Sequence, residues 1–241
     1  MRKTILLFII ACMMVSCGKS GSNLIVQEVN FYSADGIPLK GMFYTIISDS
    51  LLPGVALGHM YQHDKSSWDG FARKLAERGI AVLAFDFRGW GESGGEVDIA
   101  NNYKDVIAAA KYLADMSRVD RRRVGAAGAS MGGMAVVCAA ANSQLIKAAV
   151  SIAAPPSWQG CEPEQEAGQM SPRPLLVIAG SKDPKVSLKL ARRIFDAAGE
   201  PKQWLVIDTD KHGTDIFSTD KAGELEEALF QFFNKELRAS E

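Results

Sequence analysis

Val124-Gly125-Ala126-Ala127-Gly128-Ala129-Ser130-Met131-Gly132-Gly133-Met134-Ala135-Val136-Val137-Cys138 reads as a short apolar strand that turns at once into a run of small, apolar residues suited to a buried helix. At its centre, Gly128-Ala129-Ser130-Met131-Gly132 matches the pattern G-x-S-x-G. The pattern alone is weak, because a shuffled chain with this glycine content would contain it on the order of one time in six. A second match, Gly91-Glu92-Ser93-Gly94-Gly95, occurs in this chain. The backbone context separates the two. A nucleophile elbow needs a strand immediately before the serine and a helix immediately after it. Ser93 lies in a glycine-rich loop with neither, whereas Ser130 has both. The competing reading of Ser130 as an ordinary helix N-cap explains the turn but not the flanking glycines, which let the backbone bend sharply and approach its neighbours.

Outward from this stretch the chain alternates strand-like and helix-like segments. Leu24 to Tyr32 and Leu39 to Ile47 flank Asp35-Gly36, a hairpin signal. Gly54 to Gly58 predicts a short buried strand, followed by a helix with Trp68, Phe71, Ala72 and Leu75 at helical spacing and Gly79 at its end. Ile80 to Phe85 is a continuous apolar strand, and Tyr103, Val106, Ile107, Ala110 and Ala114 mark one face of the next helix. After the Ser130 unit come strands at Ala148 to Ala153, Leu175 to Ala179 and Trp204 to Ile207. A helix over Val186 to Ala198 and a last one with Leu225, Leu229, Phe232 and Phe233 complete the pattern. Apolar strands divided by amphipathic helices predict one α/β domain over 24–241, a mostly parallel sheet with helices on both faces and an antiparallel N-terminal hairpin. Between Pro155 and Pro174 there is room for about twenty residues, too few for a sizeable cap domain.

In sheets of this kind ligands bind at the carboxyl ends of the strands. That rule nominates the residues after each apolar run: His59 to Asp64, the loop from Asp86, Ser130, the loop after Ala153, Asp183 and His212. A serine hydroxyl becomes a useful nucleophile only when a base takes its proton and a third group orients that base. Of the three histidines, His59 and His63 follow an early strand, whereas His212 follows the last one. Asp183, in Gly180-Ser181-Lys182-Asp183-Pro184, is the candidate acid. Asp208, Asp210 and Asp215 are rivals, but they flank the base in sequence instead of approaching it from a neighbouring strand. His59-x-x-x-His63-Asp64 begins at a strand end without further ligands, so neither a metal nor any other cofactor is expected. His59, Asp86, Arg88 and Ser93 are expected to organise loops.

With these residues in place, the chain resembles serine α/β-hydrolases, close in organisation to small esterases and dienelactone-hydrolase-like proteins, from about Phe31 to its end. The order serine, aspartate, histidine fits. So do Leu57-Gly58-His59-Met60-Tyr61, similar to the family's oxyanion segment, and Asp86-Phe87-Arg88-Gly89-Trp90-Gly91-Glu92-Ser93, similar to its Asp-x-Arg-Gly-x-Gly-x-Ser loop. The resemblance implies oxyanion donors at the N–H groups of Tyr61 and Met131, although Met60 stands where many relatives have glycine. Met131 has a separate physical reason, since its N–H falls in the first turn of a helix. Dienelactone hydrolases proper use cysteine as nucleophile, so their lactone chemistry does not carry over to Ser130.

Composition agrees with a globular protein: 241 residues, 47% apolar, net charge −1. No basic patch suggests nucleic acid, and Arg121-Arg122-Arg123 is expected at a solvated turn. The N-terminus differs in kind. Arg2 and Lys3 precede an apolar stretch from Ile5 to Val15, shorter than the roughly 20 residues of a spanning helix and typical of a secretion signal. Ser16-Cys17-Gly18 resembles a bacterial lipoprotein processing site, with Met14 where leucine is usual. Residues 1–16 are therefore expected as signal peptide, Cys17 as the lipidated residue and 17–23 as a tether, placing the protein outside the cytoplasm and on a membrane through its lipid. Cys12 as acceptor and simple secretion are the alternatives. Cys138 is expected to be buried in a helix and Cys161 to lie in a loop, and whether they bridge is a matter of geometry.

The expected function is hydrolysis of small carboxylic esters through an acyl-enzyme, with Ser130 as nucleophile, His212 as base and Asp183 as its orienting acid. An open site rimmed by Tyr61, Trp90 and Trp158 would favour short or soluble acyl groups. Peptidase or thioesterase activity on the same fold, or a non-catalytic surface lipoprotein, are the alternatives. Nothing in the sequence specifies an oligomeric state.

Overall fold

The computed structural model describes residues 23–237. The expected signal peptide, Cys12, Cys17 and all of the tether except Asn23 lie outside these residues. Eight strands form one sheet: β1 (Leu24–Tyr32), β2 (Pro38–Ile46), β3 (Leu52–Gly58), β4 (Ala81–Phe85), β5 (Val119–Ala129), β6 (Ile146–Ile152), β7 (Leu175–Gly180) and β8 (Lys202–Ile207). Their spatial order is β1-β2-β4-β3-β5-β6-β7-β8. β2 pairs antiparallel with both β1 and β4. Every pairing from β4 to β8 is parallel. The hairpin turn closes where expected, with Gly36 at φ 82° and its N–H donating to the Ser33 carbonyl at 3.0 Å.

Among the described residues the α-helices are α1 (Asp69–Glu77), α2 (Asn102–Asp115), α3 (Met131–Asn142), α4 (Pro163–Glu166), α5 (Leu188–Ala197) and α6 (Ala222–Glu236). Alternate residues of each central strand feed opposite faces. Ala56, Leu83, Phe85 and Ala126 pack with Val106 and Leu113 of α2 and with α3. Val55, Leu57, Val82 and Ala127 pack with Phe71 and Leu75 of α1 and with Leu225, Leu229 and Phe233 of α6. Because both faces are covered there, β3, β4 and β7 are buried almost throughout and carry no polar alternation. α3 is buried from Met131 through Ala140, which is why it is built of alanine, valine and glycine: it touches β5, β6 and α2 at once.

Three expectations need correction. Arg121-Arg122-Arg123 lies within β5, which begins at Val119, not at a turn. Asp120 explains the exception, because Arg122 and Arg123 reach it at 3.1 Å each and hold its carboxyl well below the usual carboxylate range. β6 and β8 begin two residues earlier than their apolar runs. Register is carried by backbone pairing, and Lys202 and Gln203 can join because β8 is an edge strand. Finally, the segment after Pro155 is not all loop: α4 and a 3-10 turn over Ala167–Met170 fold it onto α3, burying Ala167 and Met170.

Candidate active site

Ser130 stands between β5 and α3 with φ 52° and ψ −116°, a conformation that a residue with a Cβ adopts only at a cost of order 1–3 kcal/mol. Its surroundings enforce it. The Ser130 N–H donates to the Ile152 carbonyl of β6 at 2.8 Å, and the Ser130 carbonyl accepts from the Met134 N–H at 3.0 Å. The flanking glycines are steric requirements. A Cβ on Gly128 would sit 2.2 Å from the Gly132 carbonyl oxygen, and one on Gly132 would sit 2.3 Å from that of Gly58. Strand, elbow and helix are thus packed backbone to backbone.

His212 follows β8 and Asp183 follows β7, and the hydrogen-bonded pairing of those strands brings their loops together. His212 Nδ1 lies 2.7 Å from Asp183 Oδ2, with both side chains buried. An ionised carboxylate can only accept, so Nδ1 carries the proton and Nε2 of the neutral ring keeps its lone pair. Asp183 Oδ1 accepts from the backbone N–H groups of Lys185 at 2.8 Å and Val186 at 3.0 Å. Burial pushes this carboxyl up, but the imidazole and the two N–H donors outweigh it and hold the acid below its ordinary value. The rival acids Asp208 and Asp210 face Lys182 and Lys211 instead.

Ser130 and His212 line one cleft made of two adjoining depressions of about 250 and 210 Å³. They share Tyr61, Lys185, Ser130 and His212; Met60 and Gln62 complete one, while Pro155, Ser157 and Trp158 help complete the other. Ser130 Oγ and His212 face the same cleft without a hydrogen bond between them in this structure. Depressions of comparable volume elsewhere, between α1 and α6 and beside β8, bring together no nucleophile and base.

Trp158 lines the cleft and packs edge-on against Tyr61 at 5.0 Å between ring centroids. Trp90 also packs edge-on against Tyr61, at 5.0 Å, so its connection to the cleft runs through that ring. Met131 begins α3, whose first N–H groups have no partner within the helix. Met60, the departure from the family's glycine, is buried against Gly213, so its side chain fills the floor of the cleft.

His59 has both ring nitrogens committed. Nδ1 lies 2.8 Å from the Met60 carbonyl, to which it donates, and Nε2 accepts from the Phe87 N–H at 3.1 Å. Burial holds the ring below the ordinary imidazole pKa, and no lone pair remains for a metal. Asp86 accepts from the Lys65 and Glu92 backbone N–H groups and from Lys65 Nζ at 2.7 Å. Ser93 Oγ donates to the Asp86 carbonyl at 2.6 Å and accepts from the Lys40 N–H. Arg88 spans Asp105 and Asp35. These residues stitch the 86–93 loop together, and Ser93 has no base beside it. Gln62 falls within the nominated segment His59 to Asp64, whereas Lys185 was missed as a cleft residue. The Asp183-Pro184 pair, which opens a turn whose next N–H groups return to the carboxylate, is the signal that would have found Lys185.

A sheet of this order with a strained serine after its central strand defines a hydrolase architecture, and the comparison with known proteins agrees. The chain belongs to the alpha/beta hydrolase family, whose model matches residues 51–231. It is 29% identical over 199 residues to an uncharacterised protein of Mycobacterium tuberculosis, covering 75% of this chain and 70% of that one. Among solved structures, a hypothetical protein from Pseudomonas aeruginosa superposes with a TM-score of 0.79 at 20% identity, over 90% of this chain and 95% of that one. The Pyrococcus furiosus esterase Pf2001 superposes with a TM-score of 0.73 at 21% identity, over 89% and 94%.

Proposed function

We propose that this protein is a serine hydrolase that cleaves small carboxylic esters through an acyl-enzyme. The observation that carries the reading is the 2.7 Å contact of His212 Nδ1 with Asp183, beside a strained Ser130 on the same cleft. Ser130 Oγ attacks the ester carbonyl while His212 Nε2 takes its proton. Asp183 keeps the ring in the tautomer that leaves Nε2 free and stabilises the imidazolium. The Met131 and Tyr61 N–H groups receive the developing oxyanion, each such donor being worth roughly 3 kcal/mol in the transition state. His212 returns the proton to the departing alcohol. It then takes one from water, which attacks the acyl-serine, frees the acid and restores Ser130 Oγ–H.

The small combined volume of the cleft and its aromatic rim of Trp158 and Tyr61, braced by Trp90, favour short or soluble acyl groups. A faster rate on long-chain lipid esters than on acetate or butyrate esters would contradict this preference. We also propose export and anchoring through a lipidated Cys17.

A fluorophosphonate probe tests the nucleophile. Wild type should label covalently and Ser130→Ala should not, while turnover falls by about three orders of magnitude or more. Equal labelling of both proteins would remove the assignment, and a panel of esters, thioesters and aminoacyl amides fixes the leaving group.

A further inference from the structure

Cys138 lies in the second turn of α3, the helix that begins beside Ser130, and Cys161 lies 23 positions later on the segment that carries the cleft's rim. Both are buried, and their Sγ atoms are 3.4 Å apart. They are the only cysteines among the described residues. Cys161 is itself rigidly tied to the rim. The Trp158 N–H donates to the Cys161 carbonyl and the Cys161 N–H to the Trp158 carbonyl, each at 3.0 Å, forming a two-stranded bridge around a turn at Gln159 and Gly160, both with positive φ. Trp158 in turn lines the cleft and packs on Tyr61.

We infer that Cys138 and Cys161 form a disulfide that clamps the Trp158 rim of the cleft to the helix headed by Ser130. The sulfurs need to close by roughly 1.4 Å to reach bonding distance, a movement within the range of side-chain torsions. In the reaction one thiolate attacks the disulfide of an oxidant, either a protein thiol–disulfide oxidoreductase or a small-molecule disulfide, and releases one thiol from it. The second thiolate then displaces the oxidant's remaining sulfur. Two protons and two electrons leave the cysteines, one Sγ–Sγ bond forms, and the oxidant departs as two thiols. Both thiols are buried, and the neighbouring Cys161 and burial together push the Cys138 thiol up, so an oxidant has little access to either in the folded protein. The bond therefore forms while the chain folds, before α3 is covered, and once formed it is shielded from reductant. The inference does not depend on the catalytic reading, since it concerns only how the rim is held.

The test is peptide mapping of the full chain. Protein is taken from the exported fraction under alkylating conditions, and in parallel reduced, unfolded and refolded with a mixture of oxidised and reduced glutathione. Cleavage after Lys147 separates the two cysteines, so a bridge appears as a linked pair of tryptic peptides, two hydrogens lighter than their sum, in both preparations. Full alkylation of Cys138 and Cys161 in either preparation would overturn the inference. Thermal melting adds a second readout. Oxidised wild type should melt roughly 5–10 °C above reduced wild type. A Cys138→Ala/Cys161→Ala double variant should melt near the reduced protein and be insensitive to reductant. A wild-type melting temperature that reductant leaves unchanged after unfolding and refolding would also count against it.

Discussion

At Gly132 the absence of a side chain is what allows α3 to start where it does, because the Gly58 and His59 carbonyls occupy the space a Cβ would need. Gly132→Ala should therefore destabilise the fold by about 1–3 kcal/mol, read by urea denaturation. It should also depress turnover beyond the loss of folded protein, because the Met131 N–H moves with the helix start. His59 yields a pH prediction. Its folded pKa lies below the ordinary value of 6.5, so below that pH the unfolded chain binds the proton more readily than the native one. Stability then falls with acidification until the folded pKa is passed. Chemical denaturation at pH 7.5 and 5.5 should show wild type losing stability across this interval, and His59→Gln should be less stable throughout with a shallower dependence. The placement of Ser130, His212 and Asp183 at one end of the sheet was legible in the sequence because each follows an apolar run. Lys185 was not, since an exposed polar residue beside a cleft has the same sequence signature as one beside open solvent.

The 86–98 connection after β4 owes its shape to a buried charge cluster. Arg88 and Asp105 are both buried, and Arg88 Nη2 reaches Asp105 Oδ1 at 2.6 Å while Nη1 reaches Asp35 at 2.9 Å. Burial raises the Asp105 carboxyl despite the guanidinium beside it, which marks how much solvation this pair has given up. Asp105→Ala leaves the guanidinium buried with only its outer partner, and the expected loss is about 3–5 kcal/mol in equilibrium unfolding. Because the loop also presents Trp90 to Tyr61, the same variant should raise KM more than it lowers kcat. The existence of every strand was readable from its apolar run. The strand ends were not: β5 starts at Val119 because Asp120 neutralises an arginine pair that reads, residue by residue, as a turn. The helical turns over Pro163–Met170 bury only a proline, an alanine and a methionine, Pro163, Ala167 and Met170, too short a run for a periodic signal to stand out.

Across the whole molecule, alternation of strands and helices announced a parallel sheet but not the order of its strands. β3 sits between β4 and β5, an arrangement set by how crossovers pack and not by any one segment's periodicity. The proposed anchor is testable at this scale. Cys17→Ser should move the protein from the membrane fraction to the soluble exported fraction while its specific activity on a soluble ester stays unchanged, as followed by fractionation and assay. A loss of activity with solubilisation would mean that the lipid does more than tether. The direction of β1 sharpens this. β1 and β4 both run antiparallel to β2, so β1 starts at the amino ends of the parallel strands and climbs about 26 Å toward their carboxyl ends over nine residues. Leu24, where a lipidated leader would join, and Ser130 therefore lie at opposite poles of the sheet. A protein moored at that lower pole would hold its mouth toward the surrounding fluid, meeting diffusing molecules and turning its back on the bilayer that holds it.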